Sequence, residues 1–181
     1  MGDKKVVYFP GGPPGFSNYC YGHKMTVITY KRKFVRMDAL GEMDYGKAAH
    51  YIKHEGVYML GGVFGKNASE QRLNDKIYIY PLGVHSSQQK WYEVETTGKI
   101  PEGRFHHAMH FYEKGNLLVV FGGRRFANPE PNVVYNSEFV NKVSVLRVDS
   151  MEWFEVKYKS GFRSLDSFPQ LYNFSSALIE D

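Results

Sequence analysis

The sequence predicts an all-β protein in which short antiparallel strands recur along the chain. Three observations indicate this fold class. Aromatic residues make up 16% of the 181 residues, and such a bias is typical of sheets. No segment keeps the 3.6-residue apolar period of a helix. Apolar runs closed by two glycines occur at 6–12, 56–62 and 117–123, as expected if one strand type is repeated.

The most complete unit lies at residues 101–125. Two apolar runs, 107–112 and 117–121, flank the polar segment 113–116, and this arrangement predicts a β-hairpin. The second strand ends in Gly122 and Gly123, where the backbone can adopt positive φ or lie close to a neighbouring sheet. The unit therefore supplies the first two strands of a repeat.

The landmarks of this unit recur at matched distances. The glycine pairs start at residues 11, 61 and 122, so they are 50 and 61 residues apart. A large aromatic residue follows each pair on a later strand, namely Phe34, Trp91 and Trp153. A further strand is predicted between pair and aromatic, and there Lys76 matches Lys142. Because several landmarks keep one register, we interpret the chain as a repeat with a period near ~50 residues.

These residues resemble the kelch-repeat β-propeller family, whose blades carry the glycine pair, a later Trp and a Pro-x-x-Arg-x-x-His-Ala lead-in. Pro101, Arg104, His107 and Ala108 match that lead-in in full. The corresponding stretches at 44–48 and 169–176 depart from it. The resemblance covers nearly the whole chain, and it implies that Arg104 is a buried anchor within its blade.

The resemblance implies a kelch-type propeller segment of about three four-stranded antiparallel blades. Residues 5–37 would form strands two to four of a first blade, 47–95 a second blade, 106–157 a third, and 172–180 the first strand of a further blade. Propellers are closed rings of typically four to eight blades. We therefore expect the chain to be part of a larger ring, or to complete its ring with another chain. The individual strands are predicted at 5–10, 24–30, 34–37, 48–53, 57–60, 76–80, 91–95, 107–112, 117–121, 142–148, 153–157 and 172–179.

Composition narrows the setting in which such a protein works. The chain contains no run of ~18 apolar residues, so no membrane-spanning helix is predicted. Residues 1–12 lack the pattern of a signal peptide. The single cysteine, Cys20, fits a reducing compartment. The net charge of +4 comes without a nucleic-acid recognition motif. We expect an intracellular protein of the cytoplasm or cytoskeleton that binds neither membrane nor nucleic acid.

Three stretches suggest chemistry at first sight. His106, His107 and His110 suggest a metal, but on a strand the first and last would lie about 13 Å apart, and His107 would point the opposite way. Residues 61–67 lack the spacing and the hydroxyl of a phosphate-binding loop. Residues 19–21 place a Cys between two Tyr, as in a copper enzyme with similar blades, without the remaining ligands. We therefore expect no catalytic residue, metal or cofactor.

The functional hypothesis depends on the long loops. Loops leaving the second and fourth strands of a blade emerge on one face, and the longest after a glycine pair is 124–139. Loops of this length are usually functional or disordered, and arginine and aromatic side chains are enriched at interface hot spots. We expect this face to bind a protein partner, and the arginines favour an acidic one, so that the chain is a scaffold or adaptor and not an enzyme. The predicted partner-binding residues are Arg72, Arg124, Arg125, Phe126 and Tyr135.

Two alternatives stay open at this point. In the first alternative, Arg124 and Arg125 form hydrogen bonds only within their own blade, and the remainder of the loop 124–139 is a spacer. In the second, the chain would be a propeller-based enzyme or specifier protein with a polar or metal site at the mouth of the channel.

Overall fold

The structure, a computed structural model, describes residues 25–28, 34–37, 45–64, 71–82, 84–127, 137–156, 170–172 and 174–179. This part of the chain is all-β, with fourteen strands, two single-turn 3₁₀ segments and no α-helix. The strands are β1 (Met25–Ile28), β2 (Phe34–Met37), β3 (Tyr45–Ile52), β4 (Gly56–Phe64), β5 (Arg72–Leu73), β6 (Ile77–Pro81), β7 (Tyr92–Val94), β8 (Thr97–Gly98), β9 (Ala108–Tyr112), β10 (Leu117–Phe121), β11 (Arg124–Phe126), β12 (Ser137–Phe139), β13 (Val143–Arg147) and β14 (Glu152–Val156). The predicted strand at 5–10 lies outside the described residues.

Two five-stranded sheets form the body of the described part of the molecule, and four antiparallel strands in each follow the same order. Sheet I has the order β3-β4-β6-β7, and sheet II has the order β9-β10-β13-β14. Their registers also correspond, because Leu60 pairs with Ala48 in sheet I as Phe121 pairs with Ala108 in sheet II. The strand order and register around the glycine pair at 61–62 are therefore found again around the pair at 122–123. β1 and β2 form a separate antiparallel pair.

The two sheets pack face to face through a single apolar cluster. Sheet I contributes Tyr58, Leu60 and Ile77, while sheet II contributes Leu118, Val120, Leu146 and Trp153. All seven side chains are at most 2% exposed, so the main core lies between the sheets. The first strands of the sheets, β3 and β9, are neighbours.

The two landmark tryptophans are buried to different degrees. Trp153 is 2% exposed within the cluster between the sheets. Trp91 is only partly buried and packs on the other face of sheet I, where its ring meets that of Tyr80 at a centroid distance of 5.4 Å. Trp153 thus lies on the face of sheet II that is directed toward sheet I, whereas Trp91 lies on the face of sheet I that is directed away from sheet II.

The glycine pairs have the backbone conformation expected of them. Gly61 and Gly62 have φ values of 71° and 90°, and Gly122 and Gly123 have values of 67° and 88°. A Cβ atom on Gly61 would lie 2.4 Å from the Arg104 carbonyl oxygen, so only glycine permits this approach. The first of the two described pairs does not end its strand, however, because β4 continues to Phe64.

A short strand links the two sheets at their outer edge. β8 follows β7 of sheet I in the chain, yet it pairs in parallel with β14 of sheet II, through Glu152 with Thr97 and Trp153 with Gly98. The Lys99 amide also donates to the Trp153 carbonyl at 2.8 Å. The sequence predicted no strand between those at 91–95 and 107–112, since two residues of Thr and Gly carry no strand pattern.

The last predicted strand is not formed in the described residues 170–172 and 174–179. This segment lies beside sheet II, where Leu171 accepts a hydrogen bond from the Gly123 amide at 2.7 Å. Gly62 donates to Arg104 in the same way at 2.8 Å. The alignment of 169–176 with the lead-in at 101–108 places Tyr172 opposite Arg104. The hydrogen bonds show that Leu171 corresponds to Arg104 instead, so the predicted alignment is shifted by one residue.

Candidate partner-binding surface

Beyond each of the two described glycine pairs the chain forms a short two-stranded ladder, which we call an extension. In extension I, β4 pairs with β5, with Phe64 opposite Arg72. In extension II, β11 pairs with β12, with Arg125 opposite Glu138. The sequence prediction of a loop over the whole of 124–139 is therefore wrong at both ends of this stretch, where the chain forms the paired strands β11 and β12. Residues 128–136 lie outside the described part, and they include the predicted site residue Tyr135.

Arg124 is enclosed by the protein itself. Its amide and carbonyl exchange hydrogen bonds with Phe105 at 2.9 Å, and its Nη2 donates to the Ser137 carbonyl at 2.6 Å. The guanidinium lies over the rings of Phe139 and Tyr172, 5.0 and 5.1 Å from their centroids. Contacts of this kind are those expected in the alternative in which Arg124 forms hydrogen bonds within its own blade.

Arg125 belongs to a network of ion pairs at the surface. Its Nε donates to Glu138 at 2.6 Å, and its Nη1 contacts Glu102. Glu102 also lies 3.6 Å from Lys142, which in turn lies 3.9 Å from Glu155. Such exposed pairs contribute about 0 to 1 kcal/mol each to stability, so a partner can replace them at small cost.

Arg72 is placed differently, because it stacks on an aromatic ring and not on a carboxylate. Its guanidinium carbon lies 4.3 Å from the centroid of Phe64, and the residue is exposed. Within the described ranges, no carboxylate forms an ion pair with it. A stacked guanidinium keeps its N–H edge directed outward, and that edge matches the geometry of a carboxylate.

Phe126 connects the two extensions. Its ring contacts that of Phe105 at a centroid distance of 5.8 Å, and it packs against the buried cluster of Tyr45, Val63 and Phe105. Leu73 of extension I packs against the same cluster. The predicted residues Arg72 and Arg125 therefore lie on neighbouring extensions joined by one apolar cluster, while Phe126 supports this surface from beneath.

Arg104 is buried as the lead-in implied. It is 1% exposed, and its guanidinium donates to the Lys142 carbonyl at 3.2 Å and to the Ser144 hydroxyl at 3.4 Å. Burial lowers the pKa of Arg104 to about 10, although the nearby Glu102 carboxylate acts in the opposite direction. The side chain thus joins the segment before β9 to the strands of sheet II.

The histidines do not converge on a metal. β9 begins at Ala108 and His106 has a φ of 54°, so the three histidines do not share one strand as predicted. No group of three metal-ligating side chains occurs in the part of the chain that the structure describes. His110 instead bonds to Ser176 at 2.8 Å. The centroid of its ring also lies 6.2 Å from that of His50. Ala48 and Ala108 hold equivalent positions in β3 and β9, so His50 and His110 do as well, and this equivalence in the sequence could have indicated the contact.

Burial governs the titration of these histidines. The pKa of His107 falls to about 3, mainly because the ring is buried and also because the Arg104 guanidinium is near. Burial lowers the pKa of His50 as well, and the charge of His110 adds to that effect. At neutral pH these rings are uncharged, so the positive charge of the surface comes from its arginines and lysines.

Comparison with known proteins extends the description of the fold only. No protein-family model matches the chain, and no curated protein matches it. Solved structures resemble it, and one of them is the structure of YjhT, with a TM-score of 0.55 and 14% identity over 84% of this chain. The chain spans about half of that protein, 51% of its length. At 14% identity the likeness concerns the arrangement of the strands. The described residues include no helix long and apolar enough to cross a membrane.

Proposed function

We propose that the chain is part of a kelch-type β-propeller and acts as a protein–protein interaction scaffold or adaptor. The propeller is supported by two antiparallel sheets of one strand order that pack face to face with their first strands adjacent. The likeness to a longer solved chain, of which the match covers 51%, supports the idea that these blades belong to a larger ring.

The binding surface in this proposal is the outer side of extensions I and II. The observation that carries it is the stacking of Arg72 on Phe64 at 4.3 Å, which presents an arginine without a carboxylate partner among the described residues. Arg125 lies on the neighbouring extension with side chain 39% exposed. Two guanidinium groups held on short paired strands are pre-organised, and this reduces the entropy lost on binding.

The partner that fits this surface is an acidic segment of a protein. Carboxylates bind arginine through paired hydrogen bonds that are stronger than neutral ones. A partner carboxylate would meet Arg72 directly, and it would take the place of Glu102 or Glu138 at Arg125. Since Arg124 is enclosed by Ser137, Phe139 and Tyr172, it positions extension II and does not contact the partner.

Binding of acidic peptides tests the proposal. Peptides rich in Asp and Glu are selected on the immobilised wild-type chain, and their affinities are measured by isothermal titration calorimetry. We expect Arg72→Ala to weaken binding by about 2 kcal/mol, the loss typical of a hot-spot residue. Arg125→Ala should weaken binding less, because Glu102 and Glu138 already occupy its guanidinium.

Arg147→Ala is the matched control. Arg147 also stacks on an aromatic ring, that of Phe154 at 5.2 Å, and it pairs with Glu152 at 3.2 Å. It lies at the opposite end of β13 from the extensions, so its loss should leave peptide affinity unchanged. Equal affinities for wild type and Arg72→Ala would refute the proposed surface.

A further inference from the structure

His106 has a backbone conformation that sheet I provides with a glycine. Ala48 and Ala108 hold equivalent positions in β3 and β9, so Gly46 and His106, two residues earlier, are equivalent as well. Their φ values are 70° and 54°. Glycine adopts this left-handed backbone freely, whereas a Cβ atom makes it unfavourable. Both repeats thus use the conformation, and sheet II places a histidine where a glycine would be less strained.

Turn geometry does not account for the conformation of His106. In the described ranges, the other non-glycine residues with positive φ are His54, Asn116 and Met151. Each of these lies in a tight turn between two paired strands. His106 precedes β9 and lies in no such turn, and its amide donates to the Gly46 carbonyl at 2.7 Å. Strained residues of this kind cluster at ligand-binding and switch regions, so the side chain of His106 is a candidate for such a role.

The ring of His106 lies on the buried cluster that joins the two extensions. Its centroid is 6.2 Å from that of Tyr45 and 5.2 Å from that of Phe105, and both of these residues belong to that cluster. A Cβ atom on Gly46 would lie 2.9 Å from His106 Cδ2, so the glycine of sheet I leaves the space that the ring occupies. The side chain of His106 is half-buried. It therefore combines a fixed position with access from the surface.

The groups that face His106 favour a neutral ring in the unbound chain. Burial lowers the pKa of His106, and the Arg124 guanidinium on β11 acts in the same direction. Tyr45 on β3 is an uncharged phenol, since burial raises its pKa, and burial lowers the pKa of the adjacent His107 to about 3. A neutral imidazole has one N–H donor and one acceptor. A carboxylate that approaches the ring favours its protonated form.

We propose that His106 is a further contact for the acidic partner segment, and that this contact strengthens binding as the pH falls. The inference rests on the partner-binding surface of the proposed function. The segment would lie over the cluster between extensions I and II, where one of its carboxylates accepts a hydrogen bond from the His106 ring. Protonation of the ring turns this hydrogen bond into a charge-assisted one. Because the complex then holds a proton that the free chain lacks, the affinity rises as the pH falls.

Calorimetric titration at about pH 7.5 and about pH 6.0 tests the contact, with the acidic peptides selected on the wild-type chain. The wild type should bind at least about 3-fold more tightly at the lower pH. His106→Gly should weaken binding about 10-fold at the higher pH and remove the pH response. Its thermal midpoint should not fall, because glycine relieves the strained backbone. His106→Asn tolerates a left-handed backbone and keeps hydrogen-bonding groups, so it should bind better than His106→Gly but without a pH response.

His54→Gly is the matched control, because His54 also has a positive φ, 69°, and lies in the turn between β3 and β4 at the opposite end of sheet I. It should leave the affinity and its pH response unchanged. Equal affinities of the wild type and His106→Gly overturn the proposal, and so does a pH response that persists in His106→Asn. A thermal midpoint that falls by several degrees in His106→Gly also overturns it, because the ring would then serve to pack on Tyr45 and Phe105. If Arg72→Ala weakens binding and His106→Gly does not, the binding surface stands without this contact, whereas a wild type that binds no acidic peptide refutes both.

Discussion

Acid should destabilise this protein through one buried histidine. His107 is 8% exposed, and neither ring nitrogen has a hydrogen-bond partner among the described residues. Its pKa is about 3 in the folded chain and about 6.5 in an unfolded one. The unfolded chain therefore binds a proton first as the pH falls. The stability that neutral His107 provides is complete above pH 6.5 and is lost progressively down to pH 3.

The size of the effect follows from the two pKa values. Each pH unit between them changes the free energy of unfolding by about 1.4 kcal/mol, so lowering the pH from 7.5 to 5.0 should remove about 2 kcal/mol through this group. The assay is urea unfolding at both pH values, for the wild type and for His107→Leu. The variant should lose about 2 kcal/mol less than the wild type over that interval.

A second variant separates titration from simple loss of packing. Val145 is 3% exposed in sheet II, and Val145→Ala should lower stability by a similar amount at both pH values, because no titrating group is changed. If His107→Leu and the wild type lose the same stability between pH 7.5 and 5.0, His107 is not a buried group that stays neutral in the folded chain.

Three further perturbations test the packing. Trp153→Ala should cost about 3 to 5 kcal/mol in urea unfolding, while Trp91→Ala should cost less, because Trp91 is only partly buried; equal losses would contradict the difference in burial. Gly61→Ala should destabilise the chain by more than the ~1 kcal/mol of a left-handed backbone, since its Cβ would lie 2.4 Å from the Arg104 carbonyl; a neutral substitution would show that this contact relaxes. Arg104→Ala should lower the thermal midpoint by several degrees, because it leaves the Lys142 carbonyl and the Ser144 hydroxyl without their donor; an unchanged midpoint would show that water replaces the guanidinium.

The sequence predicted those parts of the fold that depend on local residue type. Positive φ at Gly122 and Gly123 was expected because glycine alone adopts it without strain. The strand at 117–121 was expected from its continuous apolar residues, and it is found at those residues. The burial of Arg104 came from a motif whose spacing is specific. In each case the information lies within a few neighbouring residues.

The remaining features depend on distant partners. β8 forms because the edge of β14 accepts it, and nothing in Thr97 and Gly98 indicates that. Residues 174–179 have the apolar pattern of a strand, but they form no ladder in the described part of the chain, since pattern alone does not supply a neighbouring strand. Arg124 was expected at a binding surface, yet it occupies the position of the buried Val63, and aromatic rings from two other segments enclose it.

The pairing of β8 with β14 has a consequence for how such repeats are exchanged in evolution or by design. β8, which covers the edge of β14 in sheet II, follows sheet I directly in the chain. A unit that begins between Glu95 and Thr96 therefore contains the four antiparallel strands of sheet II together with β8. A cut after Lys99 would leave β14 with an unpaired edge, which is a template for association with other chains. Recombination between such units should therefore succeed at boundaries that precede β8 and fail at boundaries that follow it.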